Sequence, residues 1–384
     1  MKRARFCAGL LAALLGTRAA AGERPAAQVT DPRASGAARM PERDALLNIA
    51  EQALARGDTA TAVTAFEQAA SMLHAADTEM GVVRASMQGG DYRHALAFCA
   101  HTAGAHLDSA PAGALYAWLL RAGGQDAAAR RVLETTLAYA PHDPVARATR
   151  RAFDGASLRP SGVLLELPHR MAPHALMQGG QAQPPPGASG VSGGVLIDGG
   201  RRALVPSAAI EGARRLWVRN GLGRTTEATR DVAPEHLQAQ GLAVLQLSAP
   251  LAVGDATLAP RDPFAGSPGF AIGHEPAPDA APAWPRLHQG FVGAVDGETG
   301  LRRLGIDVPV QATGGAVVFD AMGRIAGVSL PRTGGSTTMV PVSMFRELDR
   351  APAAELHRTS AARMAIDEAC ECGLKVSLQV LVLA

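Results

Sequence analysis

Two periodicities divide the chain. From about residue 42, apolar positions recur at helical spacing: Ala45, Leu46, Ile49, Ala50 and Ala53 share one helix face. Gly57-Asp58 breaks this helix, and Ala62, Phe66 and Ala69 resume the pattern behind the break. The same order returns at Gly90-Asp91-Tyr92 followed by Ala95 and Cys99, and at Gly124-Gln125 followed by Ala129, Leu133 and Pro141. The breaks at Gly57, Gly90 and Gly124 lie 33 and 34 residues apart. Such even spacing predicts stacked antiparallel helix pairs over residues 42–153, with small residues allowing close approach. Residues 143–160 then read as a connection. Beyond it the period shortens. Apolar runs at 163–167, 194–197, 216–218, 242–247, 308–311 and 316–319, separated by Gly and Pro turns, predict a β-rich half. The tail from Leu356 predicts an amphipathic helix, followed by an apolar run at 376–383 to which no role is assigned.

The helical period and its small-residue positions resemble the tetratricopeptide repeat. In the β-rich half, Gln311-Ala312-Thr313-Gly314-Gly315-Ala316 and the apolar residues after it resemble the nucleophile loop of trypsin-like serine peptidases, which reads G-x-S-G-G-P. Two further landmarks precede it in the family's order. Residues 192–210 are similar to the family's G-S-G-V-I strand and the I-L-T-A-A-H-V strand after it. Gly241-Leu242-Ala243-Val244-Leu245 resembles the D-L-A-V-L strand. Phe270-Ala271-Ile272-Gly273-His274 is similar to the A-x-G-x-P strand, with Glu275 in place of Pro. Thr338-Met339-Val340-Pro341 resembles the last barrel strand. The resemblance covers residues 162–348, about half the chain. It implies an N-terminal α-helical tetratricopeptide-like solenoid followed by a trypsin-like double β-barrel.

The same resemblance implies a triad whose chemistry is missing. Its nucleophile falls on Thr313, its general base on Ala209 and its acid on Gly241. A serine peptidase needs a hydroxyl, a base in hydrogen-bond reach and an acid that orients the base. Alanine accepts no proton and glycine orients nothing. The oxyanion hole would use the backbone N–H groups of Gln311 and Thr313, and Gln stands where the family prefers Gly. No catalytic residue is therefore expected. The alternative is a divergent envelope endopeptidase in which Thr313 is the nucleophile and His274 or His288 a displaced base.

Composition adds limits. Net charge is +2 and aromatic residues are 4%, without a basic stripe interleaved with aromatics, so no nucleic-acid partner is expected. Lys2, Arg3 and Arg5, the apolar run from Phe6 to Gly16 and Ala19-Ala20-Ala21 read as an export signal over residues 1–22. Its apolar run is too short to predict a membrane span. Residues 23–41 read as a disordered connection, 42–153 as the repeats, 161–350 as the protease-like domain and 351–384 as a tail. Scattered histidines at 169, 174, 236, 274 and 288 lack metal-ligand spacing, and no metal or cofactor is expected. Cys99 reads as a core residue. The expected protein is exported to the periplasm and non-catalytic. It binds a protein or peptide on the helical repeat face, with Tyr92 and Trp118 among the candidate contacts.

Overall fold

The computed structural model describes residues 32–384, except 156–157, 181, 307, 309–313, 332–336 and 351–362, with side chains from residue 40 onward. The export signal and the oxyanion and nucleophile positions Gln311 and Thr313 lie outside the described residues.

Seven helices come first: α1 (Pro32–Ala55), α2 (Thr59–Met72), α3 (Ala76–Gly89), α4 (Tyr92–Ala105), α5 (Ala110–Ala122), α6 (Asp126–Tyr139) and α7 (Pro144–Asp154). Helix α1 begins inside the stretch expected to be a disordered connection. The three glycine breaks are built alike. Gly57, Gly90 and Gly124 have φ of 79°, 84° and 74°, the left-handed region that glycine enters without a Cβ penalty. Each glycine N–H donates to the carbonyl three residues back, and the next N–H donates to the carbonyl five residues back. This double bond satisfies the last carbonyls of the preceding helix. Asp58 then caps α2 by accepting from the Thr61 N–H at 3.1 Å.

The glycine edge of this array faces the β half. A Cβ on Gly57 would meet Leu176 at 2.7 Å, on Gly90 would meet Lys375 at 2.9 Å, and on Gly124 would meet the Leu287 carbonyl oxygen at 2.7 Å. Charged pairs flank these contacts. Arg286 donates to both carboxylate oxygens of Asp126 at 3.0 Å, and Arg93 pairs with Glu371 at 3.3 Å. One hydrophobic cluster runs from Met80, Leu115 and Trp118 in the helices to Leu287, Val317 and Leu378 beyond them.

Part of the helical array is covered by the segment that follows it. Residues 158–177 lie against α3 and α7: the His174 N–H donates to Gln88 at 3.1 Å, and Leu158, Leu164 and Met171 join the main core. Within them, residues Gly162–Leu165 form a 3₁₀ turn rather than the strand expected at 163–167. Tyr92 and Trp118 are not a ligand surface. Both are buried; the Tyr92 hydroxyl donates to the Leu119 carbonyl at 2.9 Å, and the Trp118 ring lies 6.1 Å from that of Phe153.

The β half consists of two closed, six-stranded antiparallel barrels, the trypsin-like architecture. The second uses strands adjacent in sequence: β7 (Pro268–Gly273), β8 (Arg286–Val295), β9 (Arg302–Ile306), β10 (Val317–Asp320), β11 (Ile325–Pro331) and β12 (Thr337–Pro341), in the ring β10-β11-β12-β9-β8-β7. The first contains β2 (Ser189–Ile197), β3 (Arg202–Pro206), β4 (Arg215–Asn220), β5 (Arg224–Asp231) and β6 (Leu242–Leu247). Its sixth strand is β13 (Ser377–Leu383), the end of the chain. The order is β5-β4-β13-β2-β3-β6, and pairing of β5 with β6 closes the ring. A short β1 (Leu176–Met177) adds to β5 in parallel.

This explains the unassigned apolar run at 376–383. Residues 377–382 are buried on both strand faces, so apolar residues follow one another without alternation. The polar exception, Gln379, accepts from the buried Arg219 guanidinium at 3.2 Å, which also donates to Thr225 at 2.8 Å and to the Ala280 carbonyl at 2.6 Å. Helix α9 (Ile366–Val376) leads into β13 and packs against α4, placing the last residues of the chain between array and barrels. No helix among the described residues is long and apolar enough to cross a membrane.

Candidate functional site

Strand β3 ends at Pro206, and Ser207–Ile210 form a 3₁₀ turn. Ala209 thus lies in a turn at the end of a strand, not within one. A short helix α8 (Glu235–Ala239) then delivers the chain to Gly241 and β6. The Ser207 N–H donates to the Gly241 carbonyl at 2.8 Å, and Pro206 pairs with Leu242 across the two strands. The loop before β10 approaches the same corner. The Gly193 N–H donates to the Gly314 carbonyl at 2.7 Å, and a Cβ on Gly314 would lie 3.9 Å from Pro206 and 3.7 Å from Ser192. Residues next to the three family positions, far apart in sequence, therefore meet where the barrels adjoin.

The departures from the family's motif have local explanations. Ala316 uses an N–H that proline lacks, donating to the Ser329 hydroxyl at 2.9 Å. Glu275 accepts from the Leu158 N–H at 3.0 Å and so ties the covering segment to the second barrel. Gly241 has φ 82°, where any residue with a side chain is strained. The Ser192 hydroxyl donates to the carbonyl of Gly193 at 3.0 Å. Beside the Ala209 turn, an open pocket of about 690 Å³ is lined by Ser207, Ala208, Glu211, Arg230, Asp231 and Gln238. Its lining is mixed, with Ile210, Val232, Leu242 and Val244 beside charges of both signs.

The candidate bases sit in different surroundings. His274 is 2% exposed, and burial, then the Arg219 charge, pushes its pKa down to about 3. An imidazole this reluctant to take a proton is a poor general base near neutral pH. His169 and His174 belong to the segment over the helices; burial lowers both, His174 to about 4. His236 on α8 engages the Met344 carbonyl at 2.7 Å. His288 is half-buried on β8, opposite Ala271 of β7. Burial raises the pKa of Cys99 and Cys370, so both stay protonated thiols in the core.

No protein-family model matches the sequence, and no curated protein matches it. Among solved structures, the chain is similar to the MamO protease domain from Magnetospirillum magneticum in its apo form, with 18% identity over 43% of this chain and 96% of that one, at a TM-score of 0.32. It is also similar to a serine endoprotease from Yersinia pestis, with 18% identity over 42% of this chain and 61% of that one, at a TM-score of 0.34. The barrel assignment rests on the closed strand rings described above; these likenesses say nothing of chemistry.

Proposed function

We propose that this chain is an exported, non-catalytic binding or scaffolding protein that joins a tetratricopeptide-like array to a trypsin-like pseudoprotease. The observation that carries this reading is the occupancy of the base and acid positions by Ala209 and Gly241, the latter at φ 82°. A left-handed backbone there means that the missing acid could not be restored by substitution without strain. On this reading Thr313 keeps a hydroxyl that nothing activates.

The partner is a protein or peptide. On this reading the contact is made on exposed surface of the helices. There a groove of about 310 Å³ between α4 and α6 is lined by Ala100, Ala103, Leu107, Tyr116 and Tyr139. The lysine- and arginine-bearing leader followed by an apolar run supports work in the cell envelope, in the periplasm.

The test is turnover of casein and of fluorogenic peptide libraries by the purified chain, beside its Thr313→Ala variant. The expected result is no turnover by either. Cleavage by the wild type that disappears in Thr313→Ala overturns the proposal and establishes the hydrolase alternative.

A further inference from the structure

We propose a divalent transition-metal site, suited to Zn2+, at the edge of the helical array and held by His74, Glu79 and His106. The site is independent of the barrels and of the reading given for them. Chain spacing hides it. The three residues are separated by 5 and 27 positions, which matches no short metal motif, and folding brings their ligand atoms within 4.8 Å of one another.

The repeat architecture creates this convergence. His74 follows the end of α2 and His106 follows the end of α4, so each closes the second helix of a pair. They are 32 residues apart, one repeat period. Glu79 sits in the first turn of the intervening α3. Along the 14 residues of α3, this edge lies about 20 Å from the Gly90 turn that docks on the barrels.

The carboxylate is the centre of the argument. Glu79 is 3% exposed, and a buried charge is costly unless it is paired. His74 Nε2 approaches its Oε1 at 2.6 Å. The second oxygen, Oε2, and the buried His106 Nε2 face each other at 3.6 Å, and neither has a hydrogen-bond partner among the described residues. A cation in that gap would satisfy both. Zinc bonds to N and O ligands of about 2.0–2.2 Å place tetrahedral ligand atoms ~3.3 Å apart, close to this separation. The His74 and His106 rings lie 4.9 Å apart at 31°, so small rotations bring both Nε2 atoms to one centre.

Two imidazoles and one carboxylate favour Zn2+ over Mg2+ or Ca2+, which take oxygen donors. The ligand atoms that converge are those of His74, Glu79 and His106. The fourth position is open. The exposed His101, whose Nε2 lies 3.9 Å from Glu79 Oε1, or a water molecule would take it. Bound metal would link the α2–α3 connection to the end of α4 and so join two successive helix pairs.

The test uses the full, tag-free chain titrated calorimetrically with ZnCl2, and with CoCl2 read by visible absorption. One equivalent is expected to bind, with the absorption of four- or five-coordinate Co2+ and a rise in Tm on adding Zn2+. His74→Ala, at an exposed position that leaves the core intact, and His106→Ala should each weaken binding. The loss should be at least the ~10–100-fold typical of removing a ligand's hydrogen-bond partner. Circular dichroism confirms that each variant is folded. Zn2+ affinity unchanged in the His74→Ala/His106→Ala double variant, or no stoichiometric binding by the wild type, overturns the site.

Discussion

The two barrels share one strand order and differ in how they are closed. The second is complete within residues 268–341, its strands following one another in sequence. The first is open until the end of the chain returns. Its β13 inserts between β2 and β4, pairing with β2 over six positions and with β4 over six, more than 120 residues after β6. The second barrel can therefore form from local contacts, whereas the first must wait for a distant segment. The first barrel also carries Ala209 and Gly241, the positions that the family resemblance gives to base and acid. Its integrity thus depends on a strand distant in sequence.

The largest expected effect follows from deleting residues 377–384. Leu378, Val380 and Leu381 of β13 are fully buried. At about 1.5–3 kcal/mol for each buried side chain, the loss approaches the ~5–15 kcal/mol that holds a whole domain together. The truncated chain should lose its cooperative thermal transition by circular dichroism. Retention of a sharp transition would show that β13 is dispensable. Hydrogen exchange sharpens the same contrast. The β13 amides should be among the most protected, and those of β9, which pairs with β12 at only two positions, should exchange sooner.

A smaller loss is expected where array and second barrel meet. Gly124→Ala combines a left-handed φ with a Cβ 2.7 Å from the Leu287 carbonyl oxygen. The backbone conformation alone costs about 1–2 kcal/mol, and the clash adds to it. Arg286→Ala at the same junction removes the bidentate bond to Asp126 and should cost about 1–3 kcal/mol. Urea unfolding measures both, and an unchanged midpoint for either would mean that the junction contributes little.

The effect that is smallest at neutral pH is that of His274, which emerges only on acidification. His274 titrates at about 3 in the folded chain, below its ordinary value of 6.5. As pH falls, the unfolded chain takes up this proton first, so stability is full above pH 6.5 and declines from there toward pH 3. His274→Leu should flatten that decline, since neither ring nitrogen has a hydrogen-bond partner among the described residues. An equally steep decline in the variant would assign the pH dependence to other groups.

Much of this architecture is written in short patterns. The glycine breaks reveal the helix pairs because each turn needs a left-handed residue, which glycine supplies without a Cβ penalty. Leu242–Leu247 is legible as a strand because its apolar run is bounded by turns. Three features are not legible, each for a physical reason. The 3₁₀ turn at Ser207–Ile210 reads like the end of a strand because Ala, Ala and Ile suit either conformation. Strand β13 reads as a tail because its partners lie far upstream. Tyr92 and Trp118 suggest a ligand surface because an aromatic on a repeat helix reads the same whether it faces a ligand or, as here, packs inside, on the Leu119 carbonyl and the Phe153 ring. The meeting of His74, Glu79 and His106 leaves one sequence signal: two histidines separated by one repeat period.

The most direct measurement of the central claim is active-site labelling of the folded chain with a fluorophosphonate probe, read by intact mass beside Thr313→Ala and beside an active serine peptidase. The account predicts no adduct on the wild type under conditions that fully label the active enzyme, because Ala209 and Gly241 provide neither base nor acid. A stoichiometric adduct on Thr313, lost in the variant, would contradict it.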